Sequence, residues 1–155
     1  MKNLAEVAER IFSRVLFYLK ILGKNIIQID KEKLFVKVEE KINKRKIEID
    51  IGLVPPFWVI MRAKLLDGAE IERLGGSAYI VFRELLKISF KSAEFKFAMD
   101  DTANIYITED IHFDALTFDV FDEEYHAIPA AAKTFYEKLY PEIKDLAESQ
   151  RIDIG

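Results

Sequence analysis

An alternation of apolar and polar residues dominates the middle of the chain and predicts β-strands. Apolar residues occupy every second position in residues 34–39 and 47–51, with turn residues between the two runs. Pro55-Pro56 lacks the N–H donors of a strand, and the alternation resumes over residues 57–65. The pattern therefore predicts a three-stranded antiparallel meander. Residues 26–30 either add a short strand before it or only lead into it.

A second hairpin is predicted later in the chain. Alternating residues 93–99 and 105–108 flank the turn residues 100–104. The segment that follows, residues 109–114, mixes acidic and apolar residues and is interpreted as a linker. The predicted helix-covered face of the sheet consists of Ile47, Ile49, Ile51, Val59, Met61, Phe95, Phe97, Met99, Ile105 and Ile107.

Apolar residues recur at spacings of three and four in three other segments, which predicts helices. The first helix covers residues 4–22, and the second begins after Ser77. The third covers residues 122–149 and is expected to break or bend at Pro129 and Pro141. Each helix has an apolar stripe that a sheet can bury.

The order of the elements is α-β-β-β-α-β-β-α. Parallel crossovers would need a helix between most strands, so the fold class is α+β, with an antiparallel sheet of about five strands and helices packed on one face. At 155 residues, half of them apolar, the chain is predicted to form a single domain over residues 1–155.

Composition excludes several classes of function. A net charge of −4, with 32% charged residues, provides no excess of basic groups for phosphates, so nucleic-acid binding is not expected. The absence of cysteine excludes disulfides and thiolate chemistry and favours a reducing cytoplasm. Charged residues interrupt the apolar N-terminal segment, so neither a signal peptide nor a membrane span is predicted.

The C-terminal third resembles a known family. The resemblance lies in residues 95–101 and 105–109, and in Ala115-Leu116-Thr117-Phe118, Phe121, Ala131-Ala132, Phe135-Tyr136 and Tyr140-Pro141. These residues resemble the C-terminal half of the YbjN family, described as bacterial sensory-transduction regulators. The resemblance implies the fold of the type III secretion chaperones, and it implies no catalytic residues.

The acidic segment that ends the second hairpin carries the candidate chemistry of the chain. Glu109, Asp110, His112 and Asp114 are of metal-ligand types, but the sequence has no HExxH or HxH motif to fix such ligands. We therefore predict no catalytic residues, no metal site and no cofactor. A metal-dependent protein or enzyme that uses the acidic segment 109–114 is kept as an alternative.

The predicted function is that of a non-enzymatic, chaperone-like or regulatory module that binds another protein. A structural subunit of a larger assembly is a further alternative. If the face described above is the core, the opposite face carries Phe35, Trp58, Ile60 and Tyr106 among charged residues. Aromatic anchors in a charged rim are typical of protein interfaces. These four residues are the predicted partner-binding site.

A homodimer is also expected. The resemblance implies it, because secretion chaperones of this fold are dimers. The first helix has more apolar residues than one stripe uses, with Phe12, Leu16 and Phe17 widening its face. Either a small domain buries them all, or part of this face meets a second surface.

Overall fold

The computed structural model of the chain describes residues 3–151, which form one six-stranded antiparallel sheet with helices on one face. The helices are α1 (Leu4–Ile21), α2 (Gly68–Leu74), α3 (Ala78–Lys91), α4 (Phe118–Thr134) and α5 (Tyr140–Arg151). The strands are β1 (Asn25–Asp30), β2 (Phe35–Ile42), β3 (Arg45–Val54), β4 (Trp58–Leu66), β5 (Lys96–Met99) and β6 (Ile105–His112). Within residues 3–151, no helix is long and apolar enough to cross a lipid bilayer.

The strands lie in the order β1-β2-β3-β4-β6-β5. The predicted meander is present and is extended by β1, so the sheet has six strands where about five were predicted. The alternation of β1 is weak because it is an edge strand, on which Ile27 and Ile29 are both exposed. The second hairpin joins the sheet through β6, which leaves the four-residue β5 as the other edge.

The inner face of the sheet matches the prediction at most positions. The predicted residues of β3, β4 and β6 are buried. Phe95 lies before β5 and is half-buried, and its ring is 5.6 Å from that of Phe97. The assignment of Met99 to the core was wrong, since the residue is 58% exposed. Met99 ends a short edge strand that the helices only partly cover.

Helix α4 packs across the inner face of the sheet. Phe121, Tyr125 and Ile128 are fully buried, and so is Phe135, directly after the helix. The Tyr125 hydroxyl donates to Oε1 of Glu40 on β2 at 2.7 Å, which joins α4 to a distant strand. Packing of this kind stabilises the fold mainly through the apolar area that it buries.

The C-terminal helical segment differs from its prediction. It begins at Phe118 rather than Asp122, and α4 continues through Pro129. The irregularity is a π-helical turn over residues 135–139, immediately before α5. Pro141 lies in the first turn of α5, where the missing N–H is best tolerated.

Helix α2 fixes the turn of the second hairpin. Asp67 and Glu70 form a reciprocal capping box at its start. The Gly68 N–H donates to Oδ1 of Asn104 at 2.9 Å. A Cβ atom at position 68 would lie 2.2 Å from the carbonyl oxygen of Thr102, so only glycine allows this close approach.

We predict that Phe135→Ala lowers the free energy of unfolding by about 3–5 kcal/mol, because it leaves a cavity in the core. Phe17→Ala is the matched control: Phe17 on α1 is 60% exposed, so its loss should change stability by no more than about 0.5 kcal/mol. Urea unfolding followed by circular dichroism measures both values. Equal effects of the two variants would contradict the assignment of the core.

Candidate partner-binding surface

The outer face of the sheet carries three of the four predicted partner-binding residues together. Phe35 on β2 pairs with Gly52 on β3, and Gly52 pairs with Ile60 on β4, so the three lie in one row across the strands. A Cβ atom at Gly52 would lie 4.0 Å from Cδ2 of Phe35, which shows that the phenyl ring lies beside the glycine. Trp58 is two residues from Ile60 on the same strand and faces the same side.

Trp58, the first residue of β4, belongs to an aromatic cluster at that end of the strand. Its ring meets the ring of His112 edge-on, with a centroid distance of 5.1 Å, and Phe57 stacks on His112 at 5.6 Å. Trp58 is 40% exposed, and Phe57 and the neighbouring Val54 are also exposed. The Phe113 N–H donates to the Phe57 carbonyl at 2.8 Å, which fixes the two chain segments relative to each other. Sequence reasoning did not assign Phe57 and His112 to this cluster, because Phe57 was predicted as the first residue of the alternating strand and only the strand register brings His112 beside Trp58.

Tyr106 lies on the same face but apart from the other three. It pairs with Lys64, which is four residues beyond Ile60 on β4, or about 13 Å along the strand. Its hydroxyl donates to Oδ2 of Asp100 at 2.9 Å, within the turn of the β5–β6 hairpin. The sheet therefore brings together Phe35, Ile60 and Trp58 and places Tyr106 at the opposite end.

A row of charged side chains lies between these two ends. Lys37, Asp50 and Arg62 are neighbours across β2, β3 and β4. The Lys37 ammonium lies 3.0 Å from Glu48 and 3.7 Å from Asp50. The hydrogen bond with Glu48 raises the pKa of Lys37, while burial raises the pKa of Asp50 despite the nearby Lys37 charge. The aromatic cluster thus has a charged border.

A second exposed apolar surface, which we call the α3–β5 surface, was missed by sequence reasoning. It consists of Tyr79, Phe82, Leu86 and Phe90 on one face of α3, together with Met99 of β5. Phe82 is half-buried, and the other four are exposed. A groove of about 110 Å³ runs between α3 and β5. The signal was the spacing of residues 79, 82, 86 and 90, which forms a second stripe beside the buried stripe of α3.

The acidic segment 109–114 is not a linker up to residue 112, because residues 105–112 form β6. Alternation along the strand turns Glu109 towards the inner face and leaves Asp110 and His112 on the outer face. Among the residues that the structure describes, no group of three or more acidic or histidine side chains could hold a metal ion. The geometry therefore gives no support to the metal site considered at Glu109, Asp110, His112 and Asp114.

Glu109 is the one acidic side chain on the buried face of β6. Only 9% of the residue is exposed, and its Oε1 atom has no hydrogen-bond donor among the described residues. Burial, followed by the hydrogen bond and the charge of Glu124 on α4, raises the pKa of Glu109 to about 8. Asp110 raises it further, and Lys96 opposes the shift. The carboxylate of Glu124 therefore disfavours the ionisation of Glu109.

Comparison with known sequences gives no relative, since no protein-family model and no curated protein matches the chain. Solved structures do share the fold. A chain in the crystal structure of the ExsC–ExsE complex matches with a TM-score of 0.60 and 16% identity, over 90% of this chain and 97% of that one. The Yersinia pestis type III secretion chaperone SycH, solved with a stable fragment of YscM2, matches with a TM-score of 0.54 and 12% identity.

The match to SycH covers 80% of this chain and 98% of the other. At these identities the comparison shows the fold alone. The predicted fold class, α+β with an antiparallel sheet, helices on one face and a likeness to the type III secretion chaperones, is confirmed.

We predict that the stability of the protein falls as pH rises from about 4.5 to about 8, in part because of Glu109. Its pKa is higher in the folded chain than the ordinary value of 4.5, so the folded state binds more protons than the unfolded state in this range. Glu109→Gln removes this titrating group. The difference in melting temperature, variant minus wild type, should therefore increase between pH 5 and pH 8 by about 2–4 °C or more.

Differential scanning fluorimetry at unit pH steps measures this difference. Glu72→Gln removes the same charge from an exposed position on α2 and should follow the wild-type curve. Parallel curves for wild type and Glu109→Gln would contradict the raised pKa of Glu109.

Proposed function

We propose that this chain is a non-enzymatic, chaperone-like module that binds a protein partner on the outer face of its sheet. The observation that carries the proposal is the exposed aromatic cluster of Phe57, Trp58 and His112 on a sheet face that no described helix covers. The fold supports it, because ExsC is solved with ExsE, and SycH with a fragment of YscM2. Those complexes belong to those proteins, and here they indicate the kind of role.

Trp58 is the proposed centre of the contact. Tryptophan is enriched at the positions that dominate binding free energy, where a large apolar ring becomes fully desolvated. Phe35 and Ile60 extend the apolar area along β2 and β4, and the charged row of Lys37 and Arg62 provides a border that orients a partner. Tyr106 belongs to this surface only for a partner long enough to reach the far end of the sheet.

Other parts of the proposal rest on the sequence. The resemblance of the C-terminal third to the YbjN family favours a regulatory role among the chaperone-like proteins. The absence of cysteine favours the cytoplasm, and the length favours a single domain.

The test is affinity purification from the native cell with wild type, Trp58→Ser and Phe17→Ser. Phe17 is the matched control, since it is an exposed aromatic residue on α1 rather than on the sheet. We expect a partner that wild type and Phe17→Ser capture and that Trp58→Ser loses at least about tenfold, because a central tryptophan contributes 2 kcal/mol or more. A partner retained by all three variants would contradict the outer-face site. A constant stoichiometry with many subunits would favour the structural-subunit alternative.

Fluorescence gives an independent prediction, because Trp58 is the only tryptophan of the chain. In the isolated protein its emission should be quenched readily by acrylamide, since the ring is exposed. Addition of the captured partner should shift the emission to shorter wavelength and reduce quenching. Protection from acrylamide in a proven monomer would place Trp58 in the core and contradict this site.

We further propose that the chain forms a homodimer through the α3–β5 surface. Strand β5 is an edge strand with one unpaired side, and the exposed Leu86 and Phe90 lie beside it on α3. An edge strand next to an apolar helix face is self-complementary about a two-fold axis, and pairing would cover both. Phe17 and Ile21 leave α1 a second exposed apolar face, which adjoins the β1–β2 turn at Lys31 and Leu34, so α1 is the alternative dimer contact.

The dimer is tested with Phe90→Glu and Phe17→Glu, each measured by light scattering with size-exclusion chromatography. Phe90→Glu places a charge in the proposed contact and should reduce the mass to that of one 18.0 kDa chain, whereas Phe17→Glu should remain a dimer. Dissociation by Phe17→Glu alone would assign the dimer to α1. A wild-type monomer across micromolar concentrations would contradict the homodimer.

A further inference from the structure

A notch lies beside the free edge of β6. Strand β5 pairs only with residues 105–108, so within the described chain no strand pairs with that side of residues 109–112. A pocket of about 420 Å³ opens there, between β6, α4 and the segment that leads into β5. Its charged lining consists of Glu94, Glu109, Asp110, Glu123 and Glu124.

The pocket is strongly acidic, with five carboxyl groups from three parts of the chain. Lys96 is the cation that opposes the charge at Glu109. Its ammonium group, however, donates hydrogen bonds to the main-chain carbonyls of Ser89 and Ser92 at the end of α3. Lys96 is therefore held at that helix end and leaves most of the negative charge in the pocket uncompensated.

Glu109 provides an observation that is independent of the charge count. It is nine-tenths buried, it lines the pocket, and its Oε1 atom lacks a donor among the described residues. A buried acceptor without a donor is unfavourable, so such groups in native proteins usually have a partner. Ile107 and Ile111 on the same strand face are apolar, and the hydrogen bond with Glu124 uses the one proton that the two carboxyl groups share, which leaves Oε1 without a donor. The arrangement favours a donor that enters from outside.

The shape of the pocket indicates which cation fits. In the described residues the carboxylates are not grouped closely enough to hold a metal ion, and the space between them admits a larger group. A guanidinium group carries five N–H donors in a rigid plane and can bond two carboxylates at once. The free edge of β6 beside it can accept an extended backbone.

The location connects the pocket to the proposed partner surface. Asp110 pairs with Ile60, and His112 pairs with Trp58 across β4 and β6. A segment lying along residues 109–112 would therefore run from the acidic pocket to the aromatic cluster.

We propose that the pocket formed by Glu109, Glu124 and their acidic neighbours binds the guanidinium group of an arginine in an extended segment of the partner protein. This inference rests on the proposed function as a protein-binding module and adds the chemistry that the partner must present. Ionised Glu109 and Glu124 both accept hydrogen bonds from the arginine. Because burial and Glu124 raise the pKa of Glu109, binding releases a proton near neutral pH.

The test uses capped pentapeptides with a central arginine between valine and threonine residues, followed by amide NMR of the full chain. We expect the arginine peptide to shift the amide signals of Glu109, Asp110 and Glu124. The same peptide with citrulline, which is neutral and has nearly the same shape, should bind at least about tenfold more weakly. Affinity for the arginine peptide should increase from pH 6 to pH 8, and calorimetry in two buffers should detect the released proton.

Glu109→Gln and Glu124→Gln should each lower the affinity for the arginine peptide at least about tenfold, and Glu72→Gln on α2 should leave that affinity unchanged. Glu124→Gln keeps the test valid if Glu109→Gln fails to fold. Equal binding of the citrulline peptide, no shift at about 10 mM peptide, or Ca²⁺ shifting the same signals in place of the peptide would overturn the inference. Loss of the partner with Trp58→Ser but not with Glu124→Gln would overturn the pocket and leave the proposed function standing.

Discussion

The packing of α4 on the inner face of the sheet is the interaction on which the rest of the structure depends. The central strands β4 and β6 pair in the sheet but are separated in the chain by α2, α3 and β5. Their pairing therefore depends on an apolar surface that packs against both strands. Phe121, Tyr125 and Phe135 provide it, each fully buried. A polar contact adds to this packing, because the Tyr136 hydroxyl donates a hydrogen bond to the Leu65 carbonyl of β4 at 2.7 Å. Once one sheet face is covered, alternation assigns every neighbouring residue to the other face.

The short β5 has two consequences for the surface. Because β5 contains only four residues, Met99 on the inner face of the sheet is left exposed beside α3. For the same reason, residues 109–112 of β6 have no strand on the side where β5 pairs with residues 105–108. The first consequence creates the α3–β5 surface, and the second creates the acidic notch. An edge of this kind favours pairing with another chain, and natural proteins usually cover or block it. The proposed dimer contact and the proposed arginine pocket both follow from this one feature.

Two carboxyl groups near these edges, Asp100 and Glu109, have pKa values shifted in opposite directions. Asp100 accepts hydrogen bonds from Thr102, Asn104 and Tyr106, and these bonds, led by that of the Asn104 side chain, lower its pKa. It stabilises the turn of the hairpin. Glu109 is buried beside another carboxyl group and has a raised pKa. Ionisation of Glu109 is unfavourable in this pocket, which makes the residue a functional candidate. A cationic ligand with hydrogen-bond donors would stabilise the ionised carboxylate and so gain binding free energy.

The sequence by itself determined the fold class, the strands β2, β3 and β4, the first half of β6, and the inner residues predicted on β3, β4 and β6, because alternation and helical spacing directly encode which side is buried. It left β1 open and misplaced Met99, since edge strands are buried on neither face consistently. Only the tertiary structure decided that Trp58 and His112 are neighbours and that Tyr106 is not, because strand register is set by long-range pairing. It likewise turned the predicted acidic linker into a strand and brought Glu109 against Glu124 of α4, since a carboxylate acquires an unusual environment from residues distant in sequence.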